Sequence, residues 1–227
     1  MKKIIVLTLG FLLCFSCFGQ EKLKSDLDVG LVYGYGVAHY DEYSNGVKIK
    51  NLNANGFGVF LGGTVEFNKH FGLFGELNFI FPVKTSIDAS VNGISFSIDD
   101  YMKAKFVMTD LIGLCGIIPI SERFKLRLGG GFDFGLTVLK MDLETNGYSV
   151  SGTEVDLMFG LGLKAVGIFM FNEKVGLNFG LNADFYFGGV AKSEISSGRY
   201  KQSKSDSFSR NINFIRPQVG LTVHFDK

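Results

Sequence analysis

The sequence has no tryptophan, and it contains only three prolines and three cysteines in 227 residues. Its charges nearly cancel, with 23 Lys and Arg against 22 Asp and Glu, so no net field would attract nucleic acid. A hydrophobic content of 46% excludes a disordered chain, and the low proline content excludes collagen. The residues in excess are glycine and phenylalanine, with 30 and 24 copies, and a structural interpretation must explain both.

Residues 1–19 have the pattern of a secretory signal peptide. Lys2 and Lys3 precede an apolar run over 4–15, which is too short to span a bilayer as a helix. We predict cleavage after Gly19, and lipidation of Cys17 is the alternative. No later apolar run reaches the length of a transmembrane helix. Cleavage would leave Cys115 as the only thiol, which excludes an internal disulfide.

Beyond residue 26 the dominant signal is the period-two alternation of β-strands. It predicts eight strands, over 27–40, 55–67, 71–81, 102–117, 124–138, 153–170, 174–188 and 212–225. The connections alternate between long ones, over 41–54, 82–101, 139–152 and 189–211, and short ones, over 68–70, 118–123 and 171–173. Asn92-Gly93 predicts a hairpin turn inside the second long connection. Long loops on one side and short turns on the other are typical of outer-membrane barrels.

The two faces of the predicted strands differ in composition. In 124–138, for example, Phe132 and Phe134 alternate with Gly131, Asp133 and Gly135. The interior of an eight-stranded barrel is only wide enough for side chains to fill, so we expect the glycine-rich face inside and the apolar face towards lipid. The aromatic residues near strand ends predict two girdles, with Tyr33, Tyr35, Phe79, Phe81, Phe185 and Phe187 above and Phe67, Phe71, Phe124, Phe169 and Phe225 below.

Two strands depart from the simple pattern. The alternation is weakest over 102–117, where turning Asp110 away from lipid makes the outward face Val107, Thr109, Leu111, Cys115 and Ile117. In the last strand Pro217 lacks a ladder donor, so we expect it at a bulge or above the hydrocarbon.

The signal peptide, the eight alternating strands and the final strand 219–225 resemble the small outer-membrane β-barrel proteins of Gram-negative bacteria, of the OmpX, OmpA or porin-family type. The resemblance implies an all-β, eight-stranded antiparallel up-and-down transmembrane barrel over 27–227, after a periplasmic segment over 20–26. It also implies an outer-membrane location, contact with outer-membrane lipid and lipopolysaccharide, and a monomer. In such proteins a terminal aromatic residue is read by the barrel-assembly machinery, and here Phe225 is followed by Asp226 and Lys227.

Charged residues on the inward face are the candidate site. Buried charges must pair, so we predict an ion-pair network in the lumen, with Asp184 and Arg216 as its best pair because they lie at similar heights on neighbouring strands. A polar conduit through the lumen is the alternative. The inward charges are Glu66, Glu76, Lys125, Arg127, Asp133, Asp156, Lys164, Asp184 and Arg216.

We expect no catalytic residue, metal or cofactor. His39, His70 and His224 are dispersed, and with one thiol they give no metal-ligand spacing. The glycines at 129–131 lack the helix and Lys-Ser/Thr of a phosphate loop.

The resulting hypothesis is a non-enzymatic barrel with a structural, adhesive or envelope-related role carried by its external loops. The alternatives are an accessory component of an envelope secretion or assembly system, a lipid-modifying enzyme and a soluble periplasmic barrel. Segment 189–211 is locally basic, so it predicts either contact with lipopolysaccharide phosphates or a solvated loop. Its basic residues are Lys192, Arg199, Lys201, Lys204 and Arg210.

Overall fold

The computed structural model describes residues 24–44, 47–91, 94–97, 102–145, 148–197, 200–208 and 211–225. The predicted signal peptide and the residues after Phe225 lie outside these ranges. Within them no helix is long and apolar enough to cross a membrane. The ten strands are β1 (Lys24–Ser44), β2 (Val47–Asn68), β3 (Phe71–Val91), β4 (Ile94–Ser97), β5 (Met102–Pro119), β6 (Phe124–Thr145), β7 (Tyr148–Met170), β8 (Val175–Ser197), β9 (Tyr200–Phe208) and β10 (Ile212–Phe225).

Eight of the strands form a closed antiparallel ring. Its order is β1, β2, β3, β5, β6, β7, β8 and β10, and β10 pairs back onto β1. Closure leaves no free sheet edge within the ring, which a spanning sheet requires because lipid offers no hydrogen-bond partners. β4 and β9 lie off the ring and pair with β3 and β8. The predicted eight-stranded antiparallel barrel is therefore confirmed.

The long connections are largely strand. β1 runs to Ser44 and β2 starts at Val47, so their hairpin occupies most of the predicted loop 41–54. β3 and β4 pair Val91 with Ile94, and the predicted turn residues Asn92 and Gly93 themselves lie outside the described residues. These extensions carry few alternating apolar residues because neither face is buried in lipid, so the period-two signal fades there although strand pairing continues.

The predicted orientation of the wall is confirmed on most strands. Outward side chains are large and apolar, as at Leu31 and Phe132, which are 64% and 68% exposed. Inward positions carry glycine or polar groups, and Asp184 and Arg216 are fully buried. The excess of phenylalanine and the excess of glycine thus belong mainly to opposite faces of one sheet.

The predicted orientation of β5 was wrong. Its buried residues are those that the sequence placed towards lipid, and Asp110 faces outward, in register with Leu77 and Phe134. β5 is apolar on both faces, so alternation could not choose between them, whereas pairing with β3 and β6 does. Leu111, Cys115 and Ile117 of β5 form one buried apolar cluster with Phe74. The inward residues of β5 are Val107, Thr109, Leu111, Cys115 and Ile117.

Of the two places expected for Pro217, a bulge is not found. β10 passes Pro217 without a register shift, pairs it with Leu181 of β8, and places it between the outward-facing Ile215 and Val219. The β1–β10 ladder has pairs on either side but none for Tyr33 or for Gly34 opposite this point. The proline therefore coincides with a local interruption of the ladder, where its missing N–H is tolerated.

Candidate functional site

The lumen is narrow because the ring has only eight strands. Glycines on its inner face leave space, and large polar side chains fill it. A Cβ atom added at Gly135 would lie 3.1 Å from Cζ of Tyr186, and one at Gly162 would lie 3.1 Å from Oδ2 of Asp133. These positions admit only glycine if Tyr186 and Asp133 are to keep their places. The alternation of glycine with large residues in the sequence thus positions the lumen charges.

The central group is built around Arg216, on β10. Its Nη2 atom lies 2.7 Å from Oδ1 of Asp184 and 3.6 Å from Oδ2 of Asp133, and its Nη1 atom donates to Thr109. The Tyr186 hydroxyl donates to Oδ1 of Asp133 at 2.7 Å. All five side chains are buried, so one guanidinium shares its charge with two carboxylates inside the barrel.

A second group surrounds Glu76, on β3. The Glu76 carboxylate pairs with Lys164 and accepts hydrogen bonds from Asn182, from Asn78 at 3.1 Å and from Gln218 at 3.1 Å. Four donors from four strands thus satisfy one buried carboxylate. Lys164 also lies 5.4 Å from the centre of the Phe74 ring, a cation–π contact.

The third group lies near the periplasmic end. Lys125 Nζ is 2.7 Å from Asp26 and 2.7 Å from Glu66. Arg127 pairs with Asp26, with Glu66 at 3.3 Å and with Asp28 at 3.4 Å. Sequence reasoning missed Asp26 and Asp28. Asp28 alternates with Leu27 and Val29, so the inward position of its charge was available as a signal.

The seven predicted lumen charges of the network all face inward and fall into these three groups. Arg216, Asp184 and Asp133 form the first, Glu76 and Lys164 the second, and Arg127 and Glu66 the third. Asp156 is buried nearer the extracellular side. The structure does not bring all of them into one continuous network.

The two ends of the lumen are different. The periplasmic mouth is an open vestibule of about 760 Å³ lined by charged residues that include Lys69, Glu122 and Arg123. Above Arg216 the interior is mainly apolar, and its cavity, which Ala104, Val107 and Asp156 help to line, measures only about 30 Å³. That volume is about the space of one water molecule. Buried side chains therefore fill the lumen between the vestibule and the outside.

A family model described as "Outer membrane protein beta-barrel domain" matches residues 10–225. The chain belongs to this family. Among solved structures it is similar to the outer membrane protein OprG from Pseudomonas aeruginosa, with 15% identity, 92% of this chain and 99% of that chain covered, and a TM-score of 0.57. It is also similar to a major outer membrane protein from Thermus thermophilus, with 14% identity, 90% and 100% covered, and a TM-score of 0.58. No curated protein matches the sequence.

Family membership places this outer-membrane barrel protein with its apolar wall in lipid. The two structural relatives share its fold at identities that say nothing of its activity. The aromatic girdles agree with this placement, and Phe106 joins Phe79 and Phe81 in the upper one, with ring centres 6.1 and 5.8 Å apart.

The three histidines of the barrel do not converge. His39 Nδ1 lies 2.9 Å from Oδ1 of Asn51 at the extracellular end, His70 is in a periplasmic turn, and His224 pairs with Asp26. Cys115 is a free, buried thiol. In the described ranges, no three His, Cys, Asp or Glu side chains are grouped to hold a metal ion.

Above the upper girdle, four strands continue as an extracellular sheet, formed by 139–145 of β6, 148–157 of β7, 189–197 of β8 and all of β9. Both of its faces carry polar side chains. Lys192 Nζ lies 2.8 Å from Glu194, and a hydrogen bond and the charge of Lys192 hold the pKa of Glu194 below its ordinary value. In the part of the chain that the structure describes, β9 pairs only with β8, so no described strand pairs with its other edge, the free edge of the sheet.

Proposed function

We propose that this barrel is a non-enzymatic outer-membrane protein that binds a protein partner outside the cell by adding a strand of the partner to β9. The free edge of β9 is the observation that carries the proposal. Exposed sheet edges bind extended peptides through main-chain hydrogen bonds, and side-chain pockets then select the sequence. A closed barrel would hold such an edge rigidly above the membrane.

The filled lumen supports a role outside the barrel. Its buried carboxylates and cations are paired with each other, and they hold no open space beside a nucleophile or base for a substrate. A polar conduit would need these groups to separate. The predicted role of the external loops is therefore carried by the extracellular sheet.

The side chains of β9 are those of an exposed edge strand that does not pair with other copies of the protein. Lys201 and Lys204 are exposed, Lys204 and Asp206 alternate with serines, and lysines on an edge strand discourage pairing between copies. Lys201 also lines a shallow cleft with Lys140, Asp142 and Glu194 on the sheet. We propose that the exposed lysines of this sheet also contact lipopolysaccharide phosphates at the membrane surface.

To test the proposal, random nine-residue peptides displayed on phage are selected for binding to the protein in nanodiscs. Hydrogen bonding alternates along a strand, so of Gln202→Pro and Ser203→Pro one removes an N–H facing β8 and the other removes one facing the free edge. We expect selected peptides to lose binding to the free-edge variant and to keep it with Lys201→Ser, the matched side-chain control. If a barrel without the β8–β9 hairpin bound the selected peptides as well as the intact barrel does, the proposal would be refuted.

The non-enzymatic part of the proposal has its own test. Lipid A and phospholipids from a deletion strain should give unchanged mass spectra, because the histidine that pairs with an acid, His224, meets the buried Asp26 on the inner face of the wall and not at the lipid-facing rim. A modified lipid that returns with the intact gene would refute it.

A role as an accessory component of an envelope assembly system is the second candidate. The charged periplasmic vestibule favours it, because Glu122 and Glu173 stand on its rim beside Arg123 and could meet a periplasmic protein. Mild crosslinking in cells followed by purification should then give one stoichiometric envelope partner, and the yield should fall with Arg123→Glu.

A further inference from the structure

Asp110 is the one charged side chain that faces outward between the two aromatic girdles in the described strands. Its neighbours in register are Leu77 of β3 and Phe134 of β6, and the next outward residues along β5 are Met108 and Ile112. The structure shows it half-exposed on the lipid side of the wall. An ionisable residue at this depth is rare and points to a function.

Within the described strands, no cation lies beside Asp110. The nearest cation along β5 is Lys105, five residues away at the far side of a register shift, which is about 16 Å at about 3.3 Å per residue. The outward neighbours on β3 and β6 are apolar, and lipid chains offer neither a hydrogen-bond donor nor a positive charge. A partner that meets this wall must therefore provide the hydrogen bond.

The wall beside Asp110 is also shaped for close contact. Gly75 is in register with Ile112, and Gly116 lies further down β5. A Cβ atom added at Gly116 would meet nothing nearer than 3.8 Å, so the surface there is open. Leu114 and Phe132 project on either side and are 65% and 68% exposed. Small residues beside large ones allow protein surfaces to pack closely within a membrane.

We propose that the outer face of β3, β5 and β6 binds a second copy of this chain across a two-fold axis along the membrane normal. Such an axis keeps each residue at its own depth, so Asp110 meets Asp110 of the second copy. One carboxyl group keeps its proton and donates to the other, ionised one, so the pair needs no further ion. Leu114 and Phe132 of each copy pack against the surface beside Gly75 and Gly116 of the other copy.

A contact between the same face of two copies accounts for the charge of Asp110 better than a contact between two different faces does. No cation faces outward at the depth of Asp110 on any strand of the ring within the described ranges, so no other wall of the same chain could neutralise it. The interface lies in the membrane and leaves the free edge of β9 accessible, so it is independent of the proposed function. The proposed dimer differs from the monomer expected from the sequence, and the crosslinking below decides between them.

The first test uses cysteine crosslinking in native outer membranes. Ile112→Cys places a thiol beside the proposed axis, and Leu31→Cys places one on β1, away from this face; the parent chain, whose Cys115 is buried, is the blank. Oxidation should give a disulfide-linked dimer with Ile112→Cys and not with Leu31→Cys. No dimer from either, equal dimer from both, or a product with a different protein would overturn the proposal.

The second test separates the carboxyl pair from the apolar surface around it. In the Ile112→Cys chain, Asp110→Asn keeps a hydrogen-bond donor and an acceptor. Asp110→Leu keeps a side chain of similar size that forms no hydrogen bond. We expect Asn to keep the dimer and Leu to lower its yield about tenfold, the scale of one hydrogen bond in a membrane. Heat-modifiable migration on SDS gels verifies that both variants fold. A Leu variant that crosslinks as well as its parent would overturn the role of Asp110.

Discussion

At the scale of single residues, Arg216 has the most demanding position in the barrel. It is fully buried and shares its charge between Asp184 and Asp133. Removing one partner of a buried pair costs more than the pair contributes, because the remaining charge loses its compensation. Arg216→Ala leaves two carboxylates without a cation, so we expect the free energy of unfolding to fall by about 3–5 kcal/mol.

This loss should be visible as urea unfolding in lipid vesicles at lower denaturant and as earlier conversion to the unfolded band on heating in SDS. Lys192→Ala is the control, because Lys192 and Glu194 are both exposed to solvent and water screens their pair. An Arg216→Ala barrel as stable as the Lys192→Ala barrel would show that the central group does not hold the wall.

Tyr186 gives a smaller prediction that isolates one hydrogen bond. Tyr186→Phe removes the hydroxyl that donates to Asp133 at 2.7 Å and keeps the ring, which packs edge-on against Phe214 with centres 6.0 Å apart. We expect a loss of about 1–3 kcal/mol, the cost of an unsatisfied buried acceptor. Phe214→Leu is the complementary variant, because it disturbs the packing and leaves the hydrogen bond. Unchanged urea unfolding of Tyr186→Phe would contradict the assignment.

The residue contacts were predictable to different degrees. Asp184 and Arg216 could be proposed as a pair because β8 and β10 are neighbours in the ring and the two residues lie at similar heights. The contact of Tyr186 with Asp133 joins β8 and β6, which are not neighbours. It depends on how far the strands are staggered around the barrel, and alternation within one strand contains no information on that stagger.

At the scale of the strands, β5 shows where alternation stops being informative. Period-two patterns assign faces only when one face differs from the other, and β5 is apolar on both. The orientation predicted for β5 from the sequence therefore depended on Asp110 alone, because a charged side chain is expected to avoid lipid. The register with β3 and β6 overrules that rule, because turning β5 over would reverse every one of its contacts.

The orientation of β5 can be measured by quenching. A fluorophore attached at Ile112→Cys should be quenched by lipids brominated on their chains, because this side chain faces outward. Leu111→Cys, one residue away, points into the lumen beside Gly162 and should be shielded from the same lipids. Equal quenching at both positions, or stronger quenching at Leu111→Cys, would show that β5 faces the other way.

At the scale of the molecule, the extracellular sheet continues β6, β7 and β8 beyond the ring, and β8 changes its partner where it leaves the ring. β8 pairs with β10 over 175–186 and with β9 only from Gly189 upwards. The sequence predicted the ring because its strands have one lipid face and one lumen face. It could not predict the sheet above, because strands in water on both sides have no apolar face to produce the alternation.

Removing the end of the β8–β9 hairpin should therefore leave the barrel intact. Replacing residues 191–206 by Asn-Gly keeps the pair of Val190 with Ser207 and supplies a two-residue hairpin turn. The central group around Arg216 and the closure of β10 on β1 lie below the cut, so the free energy of unfolding should change less than it does with Arg216→Ala. The variant should migrate as a heat-modifiable band and lose only its peptide binding. If it fails to give an SDS-resistant barrel while Lys201→Ser does, the extracellular sheet is part of the folding unit, and the separation between the two units is refuted.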